Sequence, residues 1–263
     1  MEAPPAGTRE RWAWALIRAD ALPAKLDPPP RPTAREAAPP ERRRGRPGRP
    51  PELRVVDRLP KTPRPGALVD PGRRAELLHR FLHHEVQAAE LMAWALLAFP
   101  GAPEPFKRGL MRIADDELRH ARLYRAHLRT LGADVGDFPV RDWFWCRVPT
   151  VPSPLAFVTL VGLGLEGANL DHTARWAAAF RAAGDEQGAR LLERVGREEE
   201  PHVRFALRWY ERWRGPLTFE GFRDGLPPPL TPLLFRGRPA DRAARRRAGM
   251  GAPFIDALVA YAP

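Results

Sequence analysis

The chain has 263 residues, 43 Lys and Arg against 32 Asp and Glu, and one cysteine, Cys146. That length allows one sizeable core with an appendage, and a single cysteine excludes an internal disulfide framework. The net charge of +11 invites a nucleic-acid reading, but residues 1–74 hold 17 Lys and Arg against 9 Asp and Glu, leaving 26 against 23 for the rest.

Residues 1–74 also carry 16 of the 32 prolines, in runs such as DPPPRP and RRRGRPGRPPE. This composition buries too little apolar surface to fold alone. The expectation is a Pro/Arg-rich, largely disordered extension with one short helix, Glu10 to Leu22, whose Trp12, Leu16 and Ile17 dock on a main domain of residues 75–263. Arg44, Gly45, Arg46 and Pro47 match the core of an AT-hook, a minor-groove binder; a solvated linker is the alternative. No apolar segment of signal-peptide type opens the sequence, so a cytoplasmic location is expected.

From Pro71 onward the apolar period is helical. Helices are expected over 73–98, 105–131, 153–183 and 185–213, punctuated by Phe99-Pro100-Gly101, Gly132 and Gly184-Asp185. The uncharged run from Val148 to Leu165 is interrupted by Pro149, Pro152 and Pro154, and what remains is too short to span a membrane. Two short connections make two helical hairpins, with about twenty residues between them, the connectivity of a ferritin-like four-helix bundle with one long crossover. The tail from Leu217 reads as short helices. The fold class is therefore all-α.

Each long helix interrupts its apolar stripe with an acid. Leu110, Ile113, Glu117, His120, Tyr124 and Leu128 share one face, and Leu192, Val195, Glu199, His202, Val203 and Ala206 share another. Glu85 and Glu166 stand in the corresponding stripes of the first and third helices. Glu85 precedes Glu117 by 32 residues with the Pro100-Gly101 turn at their midpoint, and Glu166 precedes Glu199 by 33 with the Ala183-Gly184 turn near theirs. An arm of about 16 residues spans roughly 24 Å, so each acid should meet its partner's Glu-x-x-His. Glu76 and His79 share that spacing but fail the turn test.

Burying so many like charges calls for cations. Oxygen and nitrogen donors without thiolate suit iron or manganese, and one Glu from each of two helices plus a Glu-x-x-His from each of the others is the pattern of di-iron and di-manganese bundles. The alternative is a metal-free polar core.

"HHEVQAAELM" around Glu85 and "DDELRHARLY" around His120 resemble the first two helices of rubrerythrins and other ferritin-like proteins, and "DELRH" matches the Asp-Glu-x-Arg-His pattern of bacterial multicomponent monooxygenases. The longer series "GDFPVRDWFW", "GLEGANLDH", "EEEPHVRFALRW" and "LPPPLTPLL" is similar to a bacterial ferritin-like family called domain of unknown function 455, over nearly all of the chain from Pro50. The resemblance implies that Glu117 and Glu199 bridge two metals, that Glu85 and Glu166 are terminal, and that His120 and His202 supply one nitrogen each. Asp116 would then orient His202, and Glu198 would orient His120; the alternative is that both are solvent-facing charges. Two features depart from the rubrerythrin pattern. Asn169 stands where a further acid is usual, and no cysteine cluster provides a built-in electron relay. Pro201, between two ligands, predicts a kink or π-bulge there.

The resulting expectation is a non-haem di-iron oxidoreductase. Two iron ions, or manganese or a mixed pair, would activate dioxygen to oxidise or hydroxylate a small organic substrate, with a separate electron donor. The rival classes are an iron-binding ferroxidase-type protein without organic substrate, and a tRNA-modifying hydroxylase whose residues 1–74 track phosphates. Gly162, Gly164 and Gly167 beside Glu166 either leave room for dioxygen or substrate, or serve tight packing.

Overall fold

The computed structural model describes residues 2–43 and 45–262, so Arg44 of the AT-hook-like match lies outside the described residues. Every named element is helical, and an isolated bridge between Val55 and Val140 is the sole β pairing among the described residues. The chain divides into two units, Met1–Thr150 and Val151–Pro263. No helix is long and apolar enough to cross a membrane among the described residues.

In the first unit, Thr8 caps α1 (Arg9–Arg18) by accepting from Arg11 N at 3.1 Å. Trp12, Leu16 and Ile17 are buried, and α1 packs on α3. The short α2 (Leu22–Leu26) carries the fully buried Lys25. Asp70 caps α3 (Pro71–Ala98), with Pro71 pre-set for the first turn. A five-residue link through Pro100-Gly101 turns the chain into α4 (Glu104–Thr130), and the two pack as a hairpin.

A boundary at residue 74 falls inside this unit, because the preceding residues bond to α3 and α4. Arg9 pairs with Glu104, Arg31 with Asp115 at 2.7 Å, and Lys25 and Arg49 with Glu90. Prolines contribute through their carbonyls, as where Trp12 Nε1 donates to Pro29 O at 2.8 Å.

One face of α3 is polar from His79 to Glu90, about three turns, and clips the chain after α4. His79 Nε2 accepts from Gly136 N at 3.1 Å, and His83 Nε2 lies 3.0 Å from Asp142 Oδ1. Gln87 accepts from Phe144 N at 3.2 Å and donates to Arg141 O at 3.3 Å. Glu90 Oε2 accepts from Trp145 Nε1 at 2.7 Å.

In the second unit, Ser153 caps α5 (Pro154–Phe157). The helix continues as a π segment, Val158–Glu166, and then as α6 (Gly167–Ala182). Gly184, at φ +81°, makes the left-handed turn into α7 (Glu186–Arg214), whose first turn is capped by Asp185. The expected π geometry is therefore on the third long helix. α7 is α-helical through Pro201, although proline removes an N–H and crowds the carbonyl four residues before it, whereas the π geometry falls on the segment holding Gly162 and Gly164, which weaken its α preference. The short helices α8 (Phe219–Asp224), α9 (Arg242–Arg247) and α10 (Ala252–Ala260) follow. Asp171 anchors this tail, binding Arg245 Nη2 at 2.8 Å, Gly237 N at 2.7 Å and Asp241 N at 2.8 Å.

Candidate metal centre

The hairpin of the first unit brings Glu85 from α3 beside Glu117 and His120 from α4. All three are buried, Glu117 and His120 completely. His120 Nδ1 lies 3.5 Å from Glu85 Oε2 and 3.7 Å from Glu117 Oε2. Equal arms on either side of the turn set that level, as the spacing required.

The second unit repeats the arrangement. Glu166 ends the π segment, and Glu199 and His202 lie one turn apart on α7; all three are buried. His202 Nδ1 is 2.9 Å from Glu199 Oε2. Within each triad the donor atoms lie within 4.8 Å of one another, close enough to hold a metal ion. Each triad supplies two carboxylates and one imidazole, a hard donor set that fits iron or manganese better than a thiolate-seeking metal.

Asn169 Nδ2 donates to Glu199 Oε1 at 3.2 Å. In the sequence Asn169 stands out only as a missing acid, and its place one turn after Glu166 is the signal for this contact. Asp116 accepts from Arg119 at 2.7 Å and Glu198 from Arg194 at 3.0 Å, each along its own helix.

Residues near the triads in sequence but out of helical phase have other duties. His83 faces Asp142, exposed His84 packs on Phe144 with centroids 5.1 Å apart, and Asp171 binds Arg245. Glu76 pairs with Arg73 and Arg80. His79, on the same polar face as His83, is held neutral by burial, its pKa pushed down to about 4. The glycines beside Glu166 serve close packing. A Cβ on Gly162 would come within 2.2 Å of Ala206 Cβ, and one on Gly164 within 2.9 Å of Phe235.

The family described as "Protein of unknown function (DUF455)" matches residues 8–256. A protein of Haemophilus influenzae (strain ATCC 51907 / DSM 11121 / KW20 / Rd), described as "Uncharacterized protein", is 29% identical over 144 residues, 52% of this chain and 50% of its own. The chain thus spans about half the length of the curated relative it matches. No solved structure matches it.

Proposed function

This chain belongs to the DUF455 family, and we propose that its two triads come together as the di-metal site of a ferritin-like four-helix bundle. The observation that carries this reading is the repetition: both units bury one Glu beside a Glu-x-x-His at the same level of a hairpin. One such triad is an ordinary polar cluster, whereas two of them hold the charge and donors for two divalent ions.

In this reading Glu85, Glu117, Glu166 and Glu199 would hold the two ions through their carboxylates, with Glu117 and Glu199 shared between them, and His120 and His202 would each give one nitrogen. The π segment ending at Glu166 supports it, because such local widening recurs at functional sites. Asn169 steadies one oxygen of Glu199, and Asp116 and Glu198 orient the imidazoles. Iron or manganese held there would supply the chemistry of dioxygen activation. The protein is a non-haem oxidoreductase that oxidises or hydroxylates a small organic substrate in the cytoplasm, with electrons from a separate donor.

Elemental analysis after anaerobic Fe(II) reconstitution should give about two ions per chain. Glu117→Ala should lose both, and His120→Ala should weaken one. Mixing the Fe(II) protein with oxygenated buffer should oxidise the iron faster than free Fe(II). Absence of bound metal in folded protein refutes the site. Rapid iron oxidation that ends in mineralised iron, with no consumption of an organic compound, would mark a ferroxidase-type protein instead.

A further inference from the structure

A groove of about 360 Å³ lies on the second unit, between α6, α7 and α9, a volume within the usual range for small-molecule sites. Its floor is built from small side chains, Ala174, Ala177 and Ala178 of α6 and Gly196 of α7. Gly196 is what lets the two helices approach, since a Cβ there would come within 2.4 Å of Thr173 Oγ1.

The inner wall is formed by residues one to two turns from the second triad on both helices, and no triad residue itself lines the groove. Leu170 and Thr173 follow Glu166 by four and seven residues on the same face of α6, and Gly196 precedes Glu199 by three on α7. Thr173 Oγ1 donates to Asn169 O at 2.8 Å, and Asn169 in turn holds Glu199.

The rim sets the charge of the occupant. Three arginines line the groove. Arg181 is matched by Glu186 at 2.8 Å and Glu193 at 2.9 Å, and Arg247 by Glu200 at 2.8 Å. The third, Arg197, is exposed and has no hydrogen bond or ion pair among the described residues. The rim acids Glu193 and Glu200 are committed to those arginines, and Asp241 caps α9 through Ala244 N at 2.9 Å. Arg197 is therefore the rim arginine with no acid bonded to it among the described residues, in a lining of three arginines and three acids whose balance disfavours a doubly charged anion.

We propose that this groove binds a small organic monocarboxylate, its apolar chain along the alanine floor and its carboxylate on Arg197, and that this is the substrate class of the metal centre. The second clause rests on the di-metal reading given above; the first does not.

The test uses full-length metal-free protein and three probes of one chain length, hexanoate, hexylammonium and hexyl phosphate, followed by ligand-observed NMR. Hexanoate should bind with a Kd on the order of 1 mM or tighter, and the other two more weakly. Arg197→Gln should weaken hexanoate about tenfold, as expected for losing a charge-assisted hydrogen bond. Ala178→Leu, at an exposed position, should block the floor without disturbing the core. Equal hexanoate binding by wild type and Arg197→Gln, tighter binding of either other probe, or no hexanoate binding overturns the site. Metal content, measured separately, should be the same in Arg197→Gln and wild type. Hexanoate binding in a protein that takes up no metal keeps the carboxylate site and overturns its assignment as the substrate of a metal centre.

Discussion

Removing the Glu90 carboxylate should destabilise the first unit by several kcal/mol. Glu90 and Lys25 are fully buried, their side chains meet at 2.8 Å, and Arg49 Nη2 adds a bond at 2.9 Å. Burial alone would raise the acid's pKa, but the charges of Arg49 and Lys25 outweigh it and hold the carboxyl below its usual range. Lys25 is pushed down by burial despite Glu90, so it depends on that partner to remain charged. Its other bonds are to the carbonyls of Leu16 and Ile17 at 2.8 and 3.3 Å. Glu90→Ala leaves this ammonium buried without a counter-charge, at a cost of about 3–5 kcal/mol. At roughly 2–4 °C per kcal/mol in a unit of this size, the melting temperature should fall by about 6–20 °C. Urea unfolding of the metal-free protein, with hydrogen exchange reading the α3 amides, measures it. Glu90→Gln keeps the shape and an acceptor for Trp145, and Lys25→Met in that background should cost much less than in wild type, with a coupling above about 1 kcal/mol. Single variants within about 0.5 kcal/mol of wild type, or strictly additive effects, would refute the idea that the N-terminal segment is fastened through this cluster.

Further outcomes follow from the same geometry. His79 is neutral in the fold down to about pH 4, while the unfolded chain protonates near 6.5. Its contribution is therefore full above pH 6.5 and declines as pH falls towards 4, by about 3 kcal/mol in all. Denaturation midpoints over that range should slope less in His79→Gln, and equal slopes would contradict the assignment. Gly162→Val should drive the π segment away from Ala206, destabilising the second unit by about 1–3 kcal/mol, whereas an unchanged melting temperature would mean the contact relaxes freely. Asp171→Ala should strand the buried Arg245 and expose residues 232–262 to limited proteolysis; resistance there would show that the tail is held by its apolar contacts.

The hairpins and inward acids were legible because both follow from a period. A step of 3.6 residues fixes which side of a helix is buried, and a Pro-Gly or Gly-Asp break fixes where two arms fold back. Glu85 and Glu117, or Glu166 and Glu199, could be matched by counting outward from those breaks, and the same count set Glu76 aside. Asn169 escaped because one turn after a ligand is an ordinary place for an amide, and only three-dimensional placement shows it reaching Glu199 at 3.2 Å.

Composition is silent on long-range partners for a different reason. Lys25 and Arg49 stand in a tract whose average is polar and proline-rich, and an average carries no information about which cation finds a buried acid 65 or 41 residues away. The signal lay on the other side of the contact. α3 carries His79, His83, Gln87 and Glu90 at steps of four, four and three, a second inward stripe that an amphipathic reading assigns to solvent. A helix that is apolar on one face and polar on a buried one needs a partner for each polar group. Here those partners come from the residues after α4 and, at Glu90, from the N-terminal segment. The same logic links this stripe to the candidate site: Glu85 lies between His83 and Gln87 in sequence but points the other way, so the polar stripe fixes the rotation of α3 that turns Glu85 towards His120.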